Sequence, residues 1–156
     1  MGSHRIGVIS DTHGQLRPSA VKALQGVELI IHAGDIGQRR VLEGLQEIAP
    51  LVAVRGNVDR RELVGDHTRT RVVQVDQALL YVIHDLLELD LDPAAAGFHA
   101  VIYGHSHNPS IEQRNGILYR NPGAAGPRRF KLPVSLAILE VQGADLEPRL
   151  ISLDGS

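Results

Sequence analysis

Short apolar runs alternate with helix-like segments through the first third of the chain, and this order constrains the fold more than any other feature. The runs RIGVIS (5–10), VELIIHAG (27–34) and LVAV (51–54) are typical of buried strands. Between them, SAVKALQG (19–26) and QRRVLEGLQEIA (38–49) have apolar residues at helical spacing. This βαβαβ order predicts a parallel sheet with right-handed crossovers.

The second half of the chain has a different pattern, which predicts hairpins. Seven short runs, several of them alternating, lie at 70–75, 78–83, 100–103, 110–114, 116–120, 134–141 and 148–153. They are separated by turn signals such as Asn115-Gly116 and Gln142-Gly143. One helix is expected between Leu86 and Ala96, limited or started by Pro93. The pattern as a whole predicts one domain over residues 1–156, an α/β sandwich with mixed β-sheets flanked by helices.

Composition excludes several classes of function. The chain has 156 residues and no cysteine, so disulfides, iron–sulfur clusters and thiol nucleophiles are excluded, and any metal must be held by nitrogen and oxygen. A net charge of −2 and an aromatic content of 3% disfavour a nucleic-acid partner. There is no run of membrane-spanning length and no signal-like N-terminus, so we expect a cytoplasmic protein without a membrane partner.

Potential metal ligands follow five of the apolar runs. They are Asp11 and His13 after 5–10, Asp35 after 27–34, Asn57 after 51–54, His84 after 78–83, and His105 with His107 after 100–103. In open α/β sheets, ligands bind at the carboxyl ends of the strands, so these side chains are expected to converge on one edge.

The donor set predicts a pair of metal ions. Two aspartates, one asparagine and four histidines are too many for one tetrahedral zinc. If Asp35 bridges two ions, the remaining six ligands divide as three each. Cations about 3.5–4 Å apart are the usual device for displacement at phosphorus, so phosphoester hydrolysis is the predicted reaction class. Taken singly, Asp11-x-His13, Gly34-Asp35 and Asn57 are more typical of turns, and His84 of a hydrogen-bonded histidine, while the pair His105 and His107 is a stronger signal. Only the joint placement of all seven favours metals.

The other histidines serve as a comparison. His67 lies in a polar stretch and His99 precedes its strand, so both are expected at the surface. His32 lies within an apolar run, where it either orients a ligand or is a hydrogen-bonded core histidine.

These motifs resemble the calcineurin-like metallophosphoesterase family, whose pattern is D-x-H, G-D, G-N-x-D or G-N-H-D/E, H, and G-H-x-H. Here the pieces are DTH, GD, GNVD, His84 and GHSH, in order within residues 5–107. The segment NPGAAGPRR (121–129) also resembles the small bacterial and archaeal branch, the YfcE-like phosphodiesterases. The resemblance implies a metallophosphoesterase-type sandwich that hydrolyses small phosphate esters, most simply phosphodiesters.

The resemblance also implies a role for each ligand. One metal is held by Asp11, His13 and His107, the other by Asn57, His84 and His105, and Asp35 is shared. A hydroxide between the metals attacks phosphorus in line. The resemblance implies two divalent ions, with manganese expected first and iron, zinc or nickel as alternatives.

Two departures from the family pattern bear on the chemistry. Val58 stands where some branches have a histidine that helps to protonate the leaving group. We therefore expect slow reaction of esters with poor leaving groups. Asp85 follows His84 where the branch often has glycine, and it either tightens the loop or binds substrate.

Several rim residues are candidates for substrate binding. Arg55, Asn57, Asn121 and Gly123 are predicted to contact the substrate or shape the rim, and Arg60, Arg128 and Arg129 are further candidates for a phosphate contact.

Two other functions and an oligomeric state stay open at this point. A non-catalytic scaffold, as in the retromer branch of the fold, and a DNA nuclease are the alternatives to a small-molecule hydrolase. The late apolar strands are compatible with a homodimer or a larger homo-oligomer.

Overall fold

The computed structural model describes residues 2–60 and 68–154. In these ranges the chain forms ten strands, two α-helices and one 3₁₀ helix. In chain order they are β1 (His4–Ile9), α1 (Pro18–Ala23), β2 (Leu29–His32), α2 (Arg39–Gln46), β3 (Leu51–Ala53), β4 (Thr70–Val75), β5 (Ala78–Ile83), the 3₁₀ helix Leu86–Glu88, β6 (Ala100–Ile102), β7 (Ser110–Arg114), β8 (Ile117–Asn121), β9 (Ser135–Gln142) and β10 (Asp145–Ser152).

The strands form two five-stranded mixed sheets, in the orders β10-β9-β1-β2-β3 and β4-β5-β6-β8-β7. In the first sheet β1, β2 and β3 are parallel, while β9 and β10 are added as antiparallel strands. In the second sheet β5, β6 and β8 are parallel, and the edge strands β4 and β7 are antiparallel to their neighbours. The predicted α/β sandwich of mixed sheets is therefore confirmed, and the described residues contribute few helices to it.

The sheets pack face to face because their strands alternate in the direction of their apolar side chains. Ile6 and Val8 of β1 contribute to a buried cluster that also contains Leu80 of β5, so this cluster lies between the sheets. Ile9 of β1 belongs to a second cluster, shared with residues of both helices. A Cβ at Gly7 would lie 2.4 Å from Leu24, so glycine lets the α1 region approach β1 closely.

The helix predicted within 86–96 is wrong beyond its first turn. Only Leu86–Glu88 is helical, as a 3₁₀ turn, and residues 93–97 form turns. Asp85 accepts a hydrogen bond from the Leu87 amide, and Asp92 accepts bonds from two following amides. Aspartate side chains that bond nearby amides in this way stabilise turns in competition with a helix.

The topology brings the predicted ligands to one edge of the sandwich. The five strands that precede them, β1, β2, β3, β5 and β6, lie in the parallel parts of the two sheets.

The two histidines expected at the surface lie away from these strand ends or outside the described residues. His67 lies outside the described residues, and His99 is half-buried, with Nδ1 accepting a hydrogen bond from the Leu79 amide. Among the described residues, no helix has the length and apolar character needed to cross a membrane.

Candidate metal centre

Six of the seven predicted ligands form two clusters. In each cluster the potential ligand atoms lie within 4.8 Å of one another. The first cluster is Asp11, His13 and His107, and the second is Asp35, His84 and His105. Apart from the exposed His105 and the half-buried His13, these side chains are buried.

The two clusters adjoin each other through their carboxylates. His84 Nε2 lies 3.2 Å from Asp35 Oδ2 and 3.9 Å from Asp11 Oδ1. His13 Nε2 lies 3.6 Å from Asp35 Oδ2, and His107 Nε2 lies 3.4 Å from Asp11 Oδ1. Asp11 and Asp35 therefore each lie close to histidines of both clusters, as a shared site requires.

One oxygen of each carboxylate is anchored, which leaves the other for a cation. Asp11 Oδ2 accepts hydrogen bonds from the Ser10 hydroxyl at 2.7 Å and the His105 amide at 3.1 Å. Asp35 Oδ1 accepts a bond from the Val58 amide at 3.0 Å. The free oxygens, Asp11 Oδ1 and Asp35 Oδ2, are the ones that face the histidines.

The centre passes a physical test for metal binding. Asp11 Oδ1, His84 Nε2 and His107 Nδ1 are buried without a hydrogen-bond partner. Unpaired buried polar atoms are costly and rare, so a group of them in one place indicates a missing ligand. His84 Nδ1 donates to the Ala33 carbonyl at 2.7 Å, which leaves Nε2 with a free lone pair in the neutral ring. A donor set of imidazoles and carboxylates suits manganese, iron, zinc or nickel.

The electrostatics keep both carboxylates ionised. Burial opposes the charge on Asp35, but His84 and the Val58 amide lower the pKa of this carboxyl to about 2. Burial also opposes the charge on Asp11, yet His13, His84 and Ser10 together lower its pKa. The centre therefore presents two negative charges at neutral pH.

The histidines respond to the same charges. The Asp11 carboxylate, whose Oδ1 lies 3.7 Å from His13 Nε2, raises the pKa of His13. Burial works against the cation of His84, but Asp35 and Asp11 outweigh it and raise the pKa. The pKa of His107 is lowered, chiefly by burial. Divalent cations would replace these protons as the partners of the carboxylates.

Backbone strain is concentrated at the ligands. Non-glycine residues with positive φ in the described ranges number eight, and five of them are predicted ligands. These five are Asp11 (55°), His13 (46°), Asp35 (58°), His105 (77°) and His107 (64°). Such conformations cost about 1–3 kcal/mol each and persist where the surrounding structure enforces them, commonly at functional sites.

Asp59 is a residue of the centre that the ligand search along the sequence missed. It is buried, and its carboxylate accepts hydrogen bonds from the amides of Ile36, Gly37 and Gly56 at 3.0–3.1 Å. These bonds tie the loop after β3 to the loop after β2, which carries Asp35. Asp59 is the aspartate of the GNVD motif. It was missed because the search considered only residues that could bind a metal directly, and Asp59 instead hydrogen-bonds the loops that carry such residues.

Asn57 lies on the loop between two residues that contact Asp35. The Val58 amide bonds the Asp35 carboxylate, and a Cβ at Gly56 would lie 2.3 Å from both Asp35 N and Oδ1. Asn57 itself is exposed. Its backbone is thus beside the second cluster, and its role as a ligand and as a substrate contact stays a prediction.

Asn121 and Gly123 are buried behind the centre. Asn121 Nδ2 donates to the Gly104 carbonyl and to the Ser106 hydroxyl, both at 3.1 Å, and its Oδ1 accepts from the Gly123 amide at 2.9 Å. These bonds hold the loop that carries His105 and His107. Because their polar groups are already engaged, the placement favours positioning of this loop over the predicted direct contact with substrate.

The candidate arginines occupy different environments. Arg128 forms an ion pair with Asp154 and donates to the Leu132 carbonyl, so its guanidinium is already engaged. The charge of Arg129 contributes to lowering the pKa of His107 and opposes the rise at His13, so it acts on the first cluster. Arg55 is half-buried and Arg60 is exposed, both beside Asn57 in the chain.

His32 is a hydrogen-bonded core histidine that supports two ligand loops. Its Nδ1 accepts from the Gly34 amide at 3.0 Å, and its Nε2 contacts the Thr12 hydroxyl at 3.0 Å. The Thr12 hydroxyl donates onward to the Ile36 carbonyl, so Nε2 carries the proton. Burial lowers the pKa of His32 to about 4.

Asp85 has a local role, because one of its oxygens caps the 3₁₀ turn. Its other oxygen lies 3.9 Å from His105 Nε2.

Comparison with known proteins agrees with this arrangement. Residues 5–144 match the calcineurin-like phosphoesterase superfamily domain. A probable metallophosphoesterase of Methanocaldococcus jannaschii is 36% identical over 166 residues, covering 98% of this chain and 83% of the relative. The phosphodiesterase YfcE of Escherichia coli K12 is 30% identical over 156 residues, covering 84% of each chain. The structure of vacuolar protein sorting 29 from Cryptosporidium parvum superimposes with a TM-score of 0.84 at 20% identity, covering 99% of this chain and 94% of that one.

Proposed function

Because the chain belongs to the calcineurin-like phosphoesterase superfamily, we propose that it is a dimetal phosphodiesterase acting on small phosphate esters. Asp11, His13 and His107 would hold one cation, Asn57, His84 and His105 would hold the other, and Asp35 would be available to both. The relatives are metallophosphoesterases and phosphodiesterases, that is, phosphoric ester hydrolases.

One observation supports this proposal above the others. Two ligand clusters meet at two ionised carboxylates, and two of the atoms that face the centre, Asp11 Oδ1 and His84 Nε2, are buried without a hydrogen-bond partner. A buried pair of negative charges with orphaned nitrogen and oxygen atoms needs cations for its stability.

Bound cations would supply the activation of water, and residues of the chain would position the reacting groups. When bound, paired divalent cations activate water and neutralise charge on the phosphoryl oxygens. Water adds to phosphorus, the P–O bond to one ester group breaks, and an alcohol and a phosphomonoester are released.

The chain's own residues position this reaction. The Val58 amide and the Ser10 hydroxyl each fix one oxygen of a carboxylate, so the other oxygen is presented at a constant place. Asp59 ties the loop after β3 to the loop that carries Asp35. Arg129 adds a positive charge beside the first cluster, where an anionic phosphate ester would be attracted.

The proposal is tested by chelation and metal return. The protein is treated with a chelator and assayed on bis-p-nitrophenyl phosphate with and without added manganese. We expect activity to be lost and then restored, and Asp35→Asn to remain at least about 100-fold below the wild type because a shared ligand is gone. Asp145→Asn, an exposed aspartate at the start of β10, is the matched control and should behave as the wild type. Turnover that survives chelation, or an active Asp35→Asn variant, would contradict the proposal.

The same experiment separates a hydrolase from a scaffold. The likeness to vacuolar protein sorting 29 is at 20% identity and concerns the fold alone. A scaffold would show no metal-dependent turnover of the diester. The intact ligand clusters favour the hydrolase.

A further inference from the structure

Three exposed apolar side chains lie on segments that adjoin the metal centre. Val58, Leu87 and Phe130 are 51%, 93% and 88% exposed. The other large hydrophobic side chains that are exposed in the described ranges, Val72, Ile111 and Leu150, all lie within strands. A single exposed apolar residue is ordinary, but three on separate loops around one site need an explanation.

Two of the three are tied to the second ligand cluster by hydrogen bonds. The Val58 amide bonds Asp35 Oδ1 at 3.0 Å. The Leu87 amide bonds Asp85 Oδ1 at 3.1 Å, and the other oxygen of Asp85 lies 3.9 Å from His105 Nε2. Both side chains are therefore placed by backbone that is anchored to the centre.

Phe130 lies on the loop after β8, which packs against the loop of the first cluster. The Ala125 amide of this loop donates to the Ser10 carbonyl at 3.0 Å, and the charge of Arg129, the neighbour of Phe130, reaches His13 and His107. Phe130 has a φ of 53° in a turn that is closed by a bond from the Leu132 amide to the Arg129 carbonyl at 3.1 Å. This turn leaves the phenylalanine side chain 88% exposed instead of packed in the core.

The ligand that fits these groups has a charged part and an apolar part. The centre itself is lined by aspartates and histidines, and Arg129 adds positive charge at its edge, so the phosphate of a substrate would be held there once cations are bound. The apolar side chains lie outside this polar interior, where the ester groups of a bound phosphate would extend. Apolar walls with a few polar groups are typical of small-molecule sites.

Building on the function proposed above, we propose that the preferred substrates are phosphodiesters whose retained ester group is large and apolar, and that this group packs against Leu87 and Phe130, with Val58 beside the metal ligands. An aromatic ring is the best fit to Phe130, because flat apolar groups stack with little loss of conformational freedom.

The test compares two diesters that share a leaving group. The manganese-loaded protein is assayed on methyl p-nitrophenyl phosphate and 2-phenylethyl p-nitrophenyl phosphate. Both retained groups are alkyl esters, so their electronic effects at phosphorus are similar and the difference reports binding of the apolar part. We expect kcat/KM to favour the phenylethyl ester by about tenfold or more, as for other apolar subsites.

Variants assign the preference to the proposed surface. Leu87→Ser and Phe130→Ser should each lower the ratio of the two kcat/KM values toward one. Leu150→Ser removes the same side chain from an exposed position on β10 and should keep the wild-type ratio. Because Leu87 and Phe130 lie on different loops, damage to one loop does not prevent the test on the other.

The outcomes separate this inference from the function on which it rests. No metal-dependent turnover of either ester contradicts the hydrolase itself. Turnover with a wild-type ratio near one, or a ratio that is unchanged in both Leu87→Ser and Phe130→Ser, overturns the apolar subsite and leaves the hydrolase standing.

Discussion

His84 donates its Nδ1 proton to the carbonyl oxygen of Ala33 at 2.7 Å, and this bond decides which nitrogen faces the centre. Ala33 follows β2, while His84 follows β5, so the bond joins the two sheets at the edge that carries the ligands. With Nδ1 engaged, Nε2 points to the carboxylates and has no hydrogen-bond partner. The tautomer required of a metal ligand is therefore fixed before any cation binds.

Removal of this imidazole should disable the second cluster. Loss of an outer-sphere partner costs roughly 10–100-fold in metal affinity or activity, so we expect His84→Gln to lose at least that much in both. Metal content by elemental analysis and turnover of bis-p-nitrophenyl phosphate are the measurements. His4→Gln, at the far end of β1, is the matched control. A His84→Gln protein that keeps wild-type metal content and rate would contradict the assignment.

Gly56 should be irreplaceable for metal binding. A Cβ at this position would meet the backbone nitrogen and the Oδ1 atom of Asp35 at 2.3 Å, and neither can move without displacing the shared carboxylate. We expect Gly56→Ala to bind manganese at least about tenfold more weakly, read by titration calorimetry of the chelated protein.

The control for this substitution is Gly44→Ala in α2. Its new Cβ would meet only the flexible end of Leu16, and alanine favours a helix over glycine by about 1 kcal/mol. Manganese affinity should be unchanged in this variant, with equal or higher stability. Equal manganese affinities in Gly56→Ala and Gly44→Ala would contradict the prediction that a side chain at position 56 displaces the Asp35 carboxylate.

His32 should make the metal-free protein less stable in acid. Above pH 6.5 this ring is neutral in both the folded and the unfolded protein, so it has no effect. Since burial lowers the folded pKa from 6.5 to about 4, only the unfolded chain takes up the proton between these values. Stability is therefore lost as the pH falls through this window, by up to ~3 kcal/mol, and the loss levels off below pH 4.

NMR titration of the histidine rings checks this prediction directly. His32 should remain neutral, protonated on Nε2 and accepting at Nδ1 from Gly34, down to about pH 4. Urea unfolding of chelated wild type and His32→Gln, at pH 7 and pH 5, should show the smaller loss in the variant. A His32 ring that is protonated at pH 6 would refute the buried network.

The rate should depend strongly on the leaving group. Val58 has no proton to give from its side chain, and the histidines of the centre are assigned to metals, so the departing oxygen must leave as an anion. We expect kcat/KM to fall steeply as the pKa of the leaving phenol rises across a series of aryl methyl phosphates. In Val58→His the slope should be shallower. A flat series for the wild type would indicate a proton donor elsewhere in the protein.

Much of the fold was predictable because the strands carry strong local signals. The runs 70–75, 78–83 and 110–114 coincide with β4, β5 and β7, and Asn115-Gly116 forms the predicted turn with positive φ at both residues. The predicted helix at 86–96 failed because aspartate caps and Pro93 favour turns there. The division of ten strands between two sheets depends on long-range pairing, which no local pattern specifies.

The ligand set was predictable from its position at strand ends, but its support was not. Six of the seven residues meet in the predicted clusters because parallel strands deliver their ends to one edge. The three amide bonds to Asp59, the burial of Asn121 and the positive φ of Asp35 depend on contacts between loops. Such contacts between loops cannot be predicted from the composition or from the spacing of the motifs.

The most direct test of the central claim is the number of metal ions that the centre holds. Chelated protein is titrated with manganese, and bound metal and turnover of bis-p-nitrophenyl phosphate are measured on the same samples. We predict two ions per chain, activity that appears only as the second ion binds, and loss of both sites in Asp35→Asn. Full activity with one ion per chain, or two ions bound without any hydrolysis, would contradict a dimetal phosphodiesterase.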